Sequence, residues 1–172
     1  MALDKAQTRK QLDKLWRDKS VGVLEAQGHK YAIISDMHMG DGSEADDFHQ
    51  NEPALLNALD HYRKEGYILI LLGDVEELWQ FDLEKIAKRY NNSVYEKIRS
   101  FGDSRVHRVY GNHDFEWGGF KDPSKVSSRR SKLAEEGFRM KDVTGRESIL
   151  LVHGHQGSID ADKFSWFSRF FV

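Results

Sequence analysis

Apolar positions along the chain follow two periods. Tyr31-Ala32-Ile33-Ile34 is a short apolar run that ends abruptly in polar residues, the mark of a buried strand. Tyr67 to Leu72 is almost continuously apolar, as a parallel strand covered on both faces requires. Arg105 to Tyr110 is a weaker third strand, and Ile149 to Val152 a fourth. Between these runs the spacing turns helical. Residues 4–18 place Leu12, Leu15 and Trp16 on one side of a charged helix. Leu55, Leu56, Leu59 and Tyr62 define a second helix, with Pro53 suited to its first turn. Leu83, Ile86, Ala87 and Tyr90 define another. Ser93 with Glu96 reads as a capping box that starts a further helix. Lys132 to Glu136 predicts a short helix stopped by Gly137. Strand and helix alternate, which predicts an α/β layered fold. No repeat or low-complexity stretch divides the chain, and Pro53 and Pro123 mark no linker. Residues 1–172 are read as one domain, with an N-terminal helix at about 4–18 and a core at about 31–155.

Composition narrows the function classes. Apolar residues make up 39% of 172 and charged residues 31%, an ordinary globular balance with enough chain for a core. The net charge of -2 gives no basic domain, so nucleic acid is not indicated as a partner. With no cysteine, disulfides and thiolate-held zinc are excluded, and any metal must be held by oxygen and imidazole. The opening residues carry no apolar run of signal-peptide type, and no stretch reaches the ~20 apolar residues of a membrane span. The expected location is cytoplasmic.

The chemistry lies in the polar residues just beyond each strand run. Ser35-Asp36-Met37-His38 stands after the first, Gly73-Asp74 after the second, Gly111-Asn112-His113-Asp114 after the third and His153-Gly154-His155 after the fourth. Asp36 to Asp74 is 38 residues, Asp74 to Asn112 is 38, and Asn112 to His153 is 41. A strand with its crossover helix takes ~30 residues or more, so each group could lie at the same end of successive strands in one sheet. Ligands gather beyond the carboxyl ends of such strands. Asp, His and Asn donors suit manganese, iron, zinc or cobalt. Taken singly, Asp36/His38 or Asp74 would be an ordinary polar turn, and His153 a core histidine. Asn112-His113-Asp114 has no packing purpose after a buried strand.

In this order, D-x-H, GD, GNH-D and a later His resemble the signature of calcineurin-like metallophosphoesterases, across roughly residues 31 to 155. The resemblance implies a β-sandwich flanked by helices, in four αββα layers, with the site at its edge. It implies two divalent metal ions, manganese first, with iron, zinc or cobalt as alternatives. Asp36 and His38 would bind one ion, Asp74 would bridge both, and Asn112 and His153 would bind the other. His113 would protonate the leaving alkoxide as general acid, with Asp114 orienting it. The implied reaction is in-line hydrolysis of a phosphate mono- or diester, small or lipid-linked, by metal-activated hydroxide. Gly73 to Trp79 and Asn112 to Phe115 resemble the bacterial branch that includes UDP-2,3-diacylglucosamine hydrolase, which has Arg where this chain has His113. The family's last motif, G-H-x-H, does not follow His153, so the C-terminal part of the fold is expected to be missing. A non-catalytic scaffold of the same fold, or an inactive fragment, is the alternative reading.

Other features are given plainer roles. His29, His49, His61 and His107 are read as surface or helix-face residues, and for His155 support of the site is the lesser reading. Asp41, Glu44, Asp46 and Asp47 are read as a solvated loop. Lys121, Lys125, Arg129, Arg130 and Lys132 form a basic stretch, and Phe164, Trp166, Phe167, Phe170 and Phe171 an aromatic one.

Overall fold

The computed structural model describes residues 5–115 and 134–155. β3 (Ile68–Leu72) is the central strand of a three-stranded parallel sheet, between β2 (Tyr31–Ile34) and β4 (Val106–Val109). Parallel neighbours need long crossovers. α2 (Glu52–Lys64) lies in the first crossover, and α3 (Leu83–Tyr90) with α4 (Val94–Arg99) in the second. Leu69 and Leu71 point into the core that contains Leu59, Ile86, Val94 and Ile98 of these helices. Ile70 and Leu72 point the other way, into a core shared with Leu24, Phe138 and Met140. Both faces of β3 are therefore covered, which is why its sequence is apolar without alternation.

The second core belongs to a second sheet. β1 (Gly22–Glu25) pairs parallel with β5 (Phe138–Lys141), which pairs antiparallel with β6 (Glu147–Leu151). Two sheets face each other and helices cover the outer face of the first, the expected β-sandwich of α/β class. α1 (Lys5–Arg17) leads into β1 and buries Leu15. Arg139 of β5 donates to the Trp16 carbonyl at 3.5 Å and the Val21 carbonyl at 3.2 Å, fastening the end of α1 to this sheet.

Several expectations are corrected. The four strand runs do not share one sheet: the fourth, β6, lies in the second sheet, so His153 reaches the site from across the sandwich. β1 and β5 escape the apolar pattern, because each has four residues and buries only alternate ones. Ala134 to Glu136 are not helical. Glu135 instead extends along β4, its N–H donating to Arg108 at 2.9 Å and its carbonyl accepting from Tyr110 at 3.1 Å. The unpaired backbone beside β4 outweighs a short helix that could form few bonds of its own. Ser93 does stand before α4, but its side chain caps nothing and its Oγ is buried without a partner. Asp46 is buried, accepting from Phe48 N–H, Gly42 N–H and the Tyr90 hydroxyl. His107 lies in β4 with its ring edge-on to Phe138. The basic stretch from Lys121 to Lys132 and the aromatic stretch from Phe164 to Phe171 lie outside the described residues.

Under the strand ends lies a buried ionic cluster. Glu76 and Asp114 are each 0% exposed. Arg108 pairs with both, at 2.9 Å to Asp114, and Tyr95 donates its hydroxyl to Glu76 at 2.7 Å. Removing one member of such a cluster strands the opposite charge away from water. Arg108→Ala is expected to lower unfolding free energy by about 3–5 kcal/mol. Lys97→Ala, which breaks the more exposed pair with Asp60, should cost no more than about 1 kcal/mol. Urea denaturation of both variants checks the contrast, and equal losses would refute it.

Candidate metal centre

Three segments beyond the strand ends are laced together by backbone hydrogen bonds. Asp36 N–H donates to the Gly73 carbonyl, His38 to Asp74 and Met39 to Val75, at 2.9 to 3.1 Å. Glu77 N–H then donates to Met39, and Leu78 to the His113 carbonyl. The parallel pairing of the sheet thus continues into its loops. Among the described residues, the non-glycine residues with left-handed φ are Asp36 (54°), His38 (48°) and Asp74 (52°). That conformation costs an L-residue roughly 1–2 kcal/mol, and such strain concentrates where side chains must be aimed for a purpose. Here it turns all three side chains toward one point.

Asp74 is that point. Its Oδ1 accepts from His113 N–H at 2.8 Å, and its Oδ2 lies 3.1 Å from His153 Nε2 and 3.8 Å from His38 Nε2. Two glycines make this approach possible. A Cβ on Gly111 would fall into the Asp74 carboxylate, and a Cβ on Gly73, at φ 82°, would fall into the His153 ring. The GD and GN pairs are therefore steric requirements of the site.

The histidines are held by their other nitrogens. His153 Nδ1–H donates to the Leu72 carbonyl at 2.9 Å, leaving Nε2 toward Asp74. His38 and His113 both donate Nδ1–H to Glu77, at 2.7 and 2.8 Å. An outer partner of this kind fixes the tautomer and the plane's pivot for a metal-binding imidazole. Glu77 and its neighbour Trp79, whose indole stacks on His113, do not stand out as site residues in the sequence. The signal available is an acid three positions after Asp74, inside a motif that reads as a strand-end turn.

The fold places each sequence-predicted residue. Donor atoms of Asp36, Asp74 and His153 lie within 4.8 Å of one another, and so do those of His38, Asp74 and His113. Asp36 and His38 fall in different groups. Asp74 is common to both groups. Asn112 sits between Gly111 and His113, its carbonyl accepting from Trp79 Nε1 at 2.9 Å. Asp114 does not meet His113. It accepts from Gly111 N–H at 2.6 Å and Val75 N–H at 2.9 Å, and pairs with Arg108. The carboxylate against His113 is Glu77. His155 lies beside His153 and Tyr110, with ring centroids 5.8 and 5.9 Å away.

The donor set fits divalent metal ions: oxygen and imidazole nitrogen, two groups of three, one carboxylate shared. Electrostatics agree. The hydrogen bond to Asp74 raises His153 to about 9, and that to Glu77 raises His38. Burial alone would raise Glu77, but the bonds from His113 and His38 overcome it and hold the acid at about 2. Burial would raise Asp74 too, yet His153 and the His113 N–H hold that carboxyl below its ordinary value.

A family model described as calcineurin-like phosphoesterase matches residues 29–170. No curated protein and no solved structure matches the chain significantly.

These shifts set the pH response of metal-free protein. Glu77 contributes stability that is complete above its ordinary 4.5 and lost as pH falls toward about 2. His153 contributes stability that is complete below its ordinary 6.5 and lost as pH rises toward about 9. With chelator present, the urea midpoint should be highest between 4.5 and 6.5 and fall on both sides. A metal must displace the His153 proton, so divalent-ion affinity should climb with pH up to about 9. Calorimetric titration across pH checks this, and a flat affinity would contradict it.

Proposed function

The chain belongs to the calcineurin-like phosphoesterase family, and from that premise we propose that it hydrolyses a phosphate mono- or diester with two divalent metal ions, manganese first among them. The observation that carries this reading is the buried Asp74 carboxylate, to which Asp36 and His153 add donors in one group and His38 in the other, with His113 beside the latter. Two cations sharing one carboxylate suit an in-line displacement at phosphorus. Asp36, His38, Asp74 and His153 are assigned as ligands, with Asn112 completing the set. When bound, divalent ions supply Lewis acidity, lowering the pKa of water and offsetting phosphate charge.

The chain's own groups do the rest. The strained loops aim the donors, and the glycines keep the approach to Asp74 open. As the bond from phosphorus to the leaving oxygen breaks, His113 hands its Nε2 proton to that oxygen. Glu77 accepts from Nδ1 of the same ring, which leaves Nε2 for the leaving oxygen. Asp114 holds the turn that carries His113 against the Asp74 turn, so its part is positional. The stretch from Gly73 to Trp79 keeps lipid-linked esters among the candidate substrates beside small ones. A cytoplasmic setting goes with this reading.

Two variants test it, with metal content and phenyl phosphate turnover measured together. Asp74→Ala should lose bound manganese and all turnover. His113→Ala should keep the metal and lose about 10²–10⁴ in kcat, the range of a general acid. Unchanged turnover in His113→Ala would sink the mechanism. Loss of metal in that variant would make His113 a ligand instead.

A further inference from the structure

We propose that Trp79 is a positioning residue for His113, fixing the plane of the imidazole so that its free nitrogen keeps one direction; the role rests on the hydrolase reading above. Glu77 fixes a single point of the ring, Nδ1, at 2.8 Å. One point does not fix a plane, because the second side-chain torsion of histidine is broad. Trp79 supplies the missing constraint. Its indole lies 3.9 Å from the His113 ring centroid at an interplanar angle of 20°, a stacked contact. From the second side the His38 ring meets His113 edge-on, at 4.6 Å and 88°. Rotation of the imidazole would drive it into one ring or the other.

The indole is itself pinned. Its Nε1–H donates to the Asn112 carbonyl at 2.9 Å, and Leu78 N–H donates to the His113 carbonyl at 3.2 Å. Trp79 is thus tied to the backbone of the very turn whose side chain it stacks on. It belongs to neither three-donor group, so it can be changed without removing a ligand.

The consequence is a specific kinetic pattern. A proton donor matters most when the leaving oxygen is basic, and little when it leaves as a stable anion. A misaimed His113 should therefore hurt phenyl phosphate more than p-nitrophenyl phosphate. Trp79→Ala, loaded with manganese, is expected to keep wild-type metal content and a KM within about twofold, and to lose roughly 10- to 100-fold in kcat on phenyl phosphate. On p-nitrophenyl phosphate the loss should stay under about threefold. Trp79→Phe, which stacks but cannot donate to Asn112, should recover most of the rate. A readout independent of turnover is the proton–carbon NMR spectrum of the His113 ring in metal-free protein. The ring-current shift from the indole should vanish in Trp79→Ala and persist in part in Trp79→Phe.

Equal losses on the two esters, loss of metal, failure of Phe to rescue, or unchanged His113 ring shifts in Trp79→Ala would each overturn the proposal. His113→Ala run on both esters separates this failure from that of the parent reading. A leaving-group-dependent loss there with a uniform loss in Trp79→Ala removes only Trp79's role. A uniform response in His113→Ala removes the general acid and Trp79's role with it.

Discussion

The structure turns on one buried carboxylate. Asp74 is 3% exposed, sits in a left-handed backbone conformation, and is approached by three loops and both sheets. Its carbonyl receives His38 N–H, its Oδ1 receives His113 N–H, and its Oδ2 faces the imidazoles of His38 and His153. A charge held so far from water needs partners on every side. The chain provides them by bringing each strand-end loop to it. The same demand explains Gly73 and Gly111, whose missing side chains leave the space that His153 and Asp74 occupy.

Two layers of acid support this arrangement. Nearest the site, Glu77 binds His38 and His113 together, holding each ring at its Nδ1. Beneath it, Asp114 and Glu76 close on Arg108, while Asp114 also receives the N–H groups of Gly111 and Val75. The lower layer joins the Asp74 turn to the His113 turn. It keeps strained loops from relaxing, which is how a folded scaffold can hold residues in costly conformations. Trp79 then adds an apolar wall to a ring already tied by its nitrogen.

Sheet packing decides how the parts meet. The first sheet alone could present Asp36, Asp74 and His113, since β2, β3 and β4 run parallel and end together. His153 arrives from β6 of the opposing sheet, and its Nδ1 bonds the last carbonyl of β3. That bond, with the His153 Nε2 contact to Asp74, links the two layers of the sandwich at the site. The inter-sheet core of Leu24, Ile70, Val109, Phe138 and Met140 holds them in register.

Strands β2 and β3 and helices α2 and α3 are written in the chain itself, because each is a run with a strong period. So are the residue types that stand after those strands. Asp36, His38, Asp74 and His113 are legible because polar groups at regular intervals behind buried strands have no packing role. Only folding decides the pairing among them. Whether Asp114 or Glu77 faces His113 depends on how two loops cross, and no local pattern encodes a contact between residues 36 positions apart. The second sheet is illegible for a related reason. β1 and β5 are four residues long with alternate burial, too short for a period to stand out, and they exist because pairing with each other and with β6 satisfies their backbone.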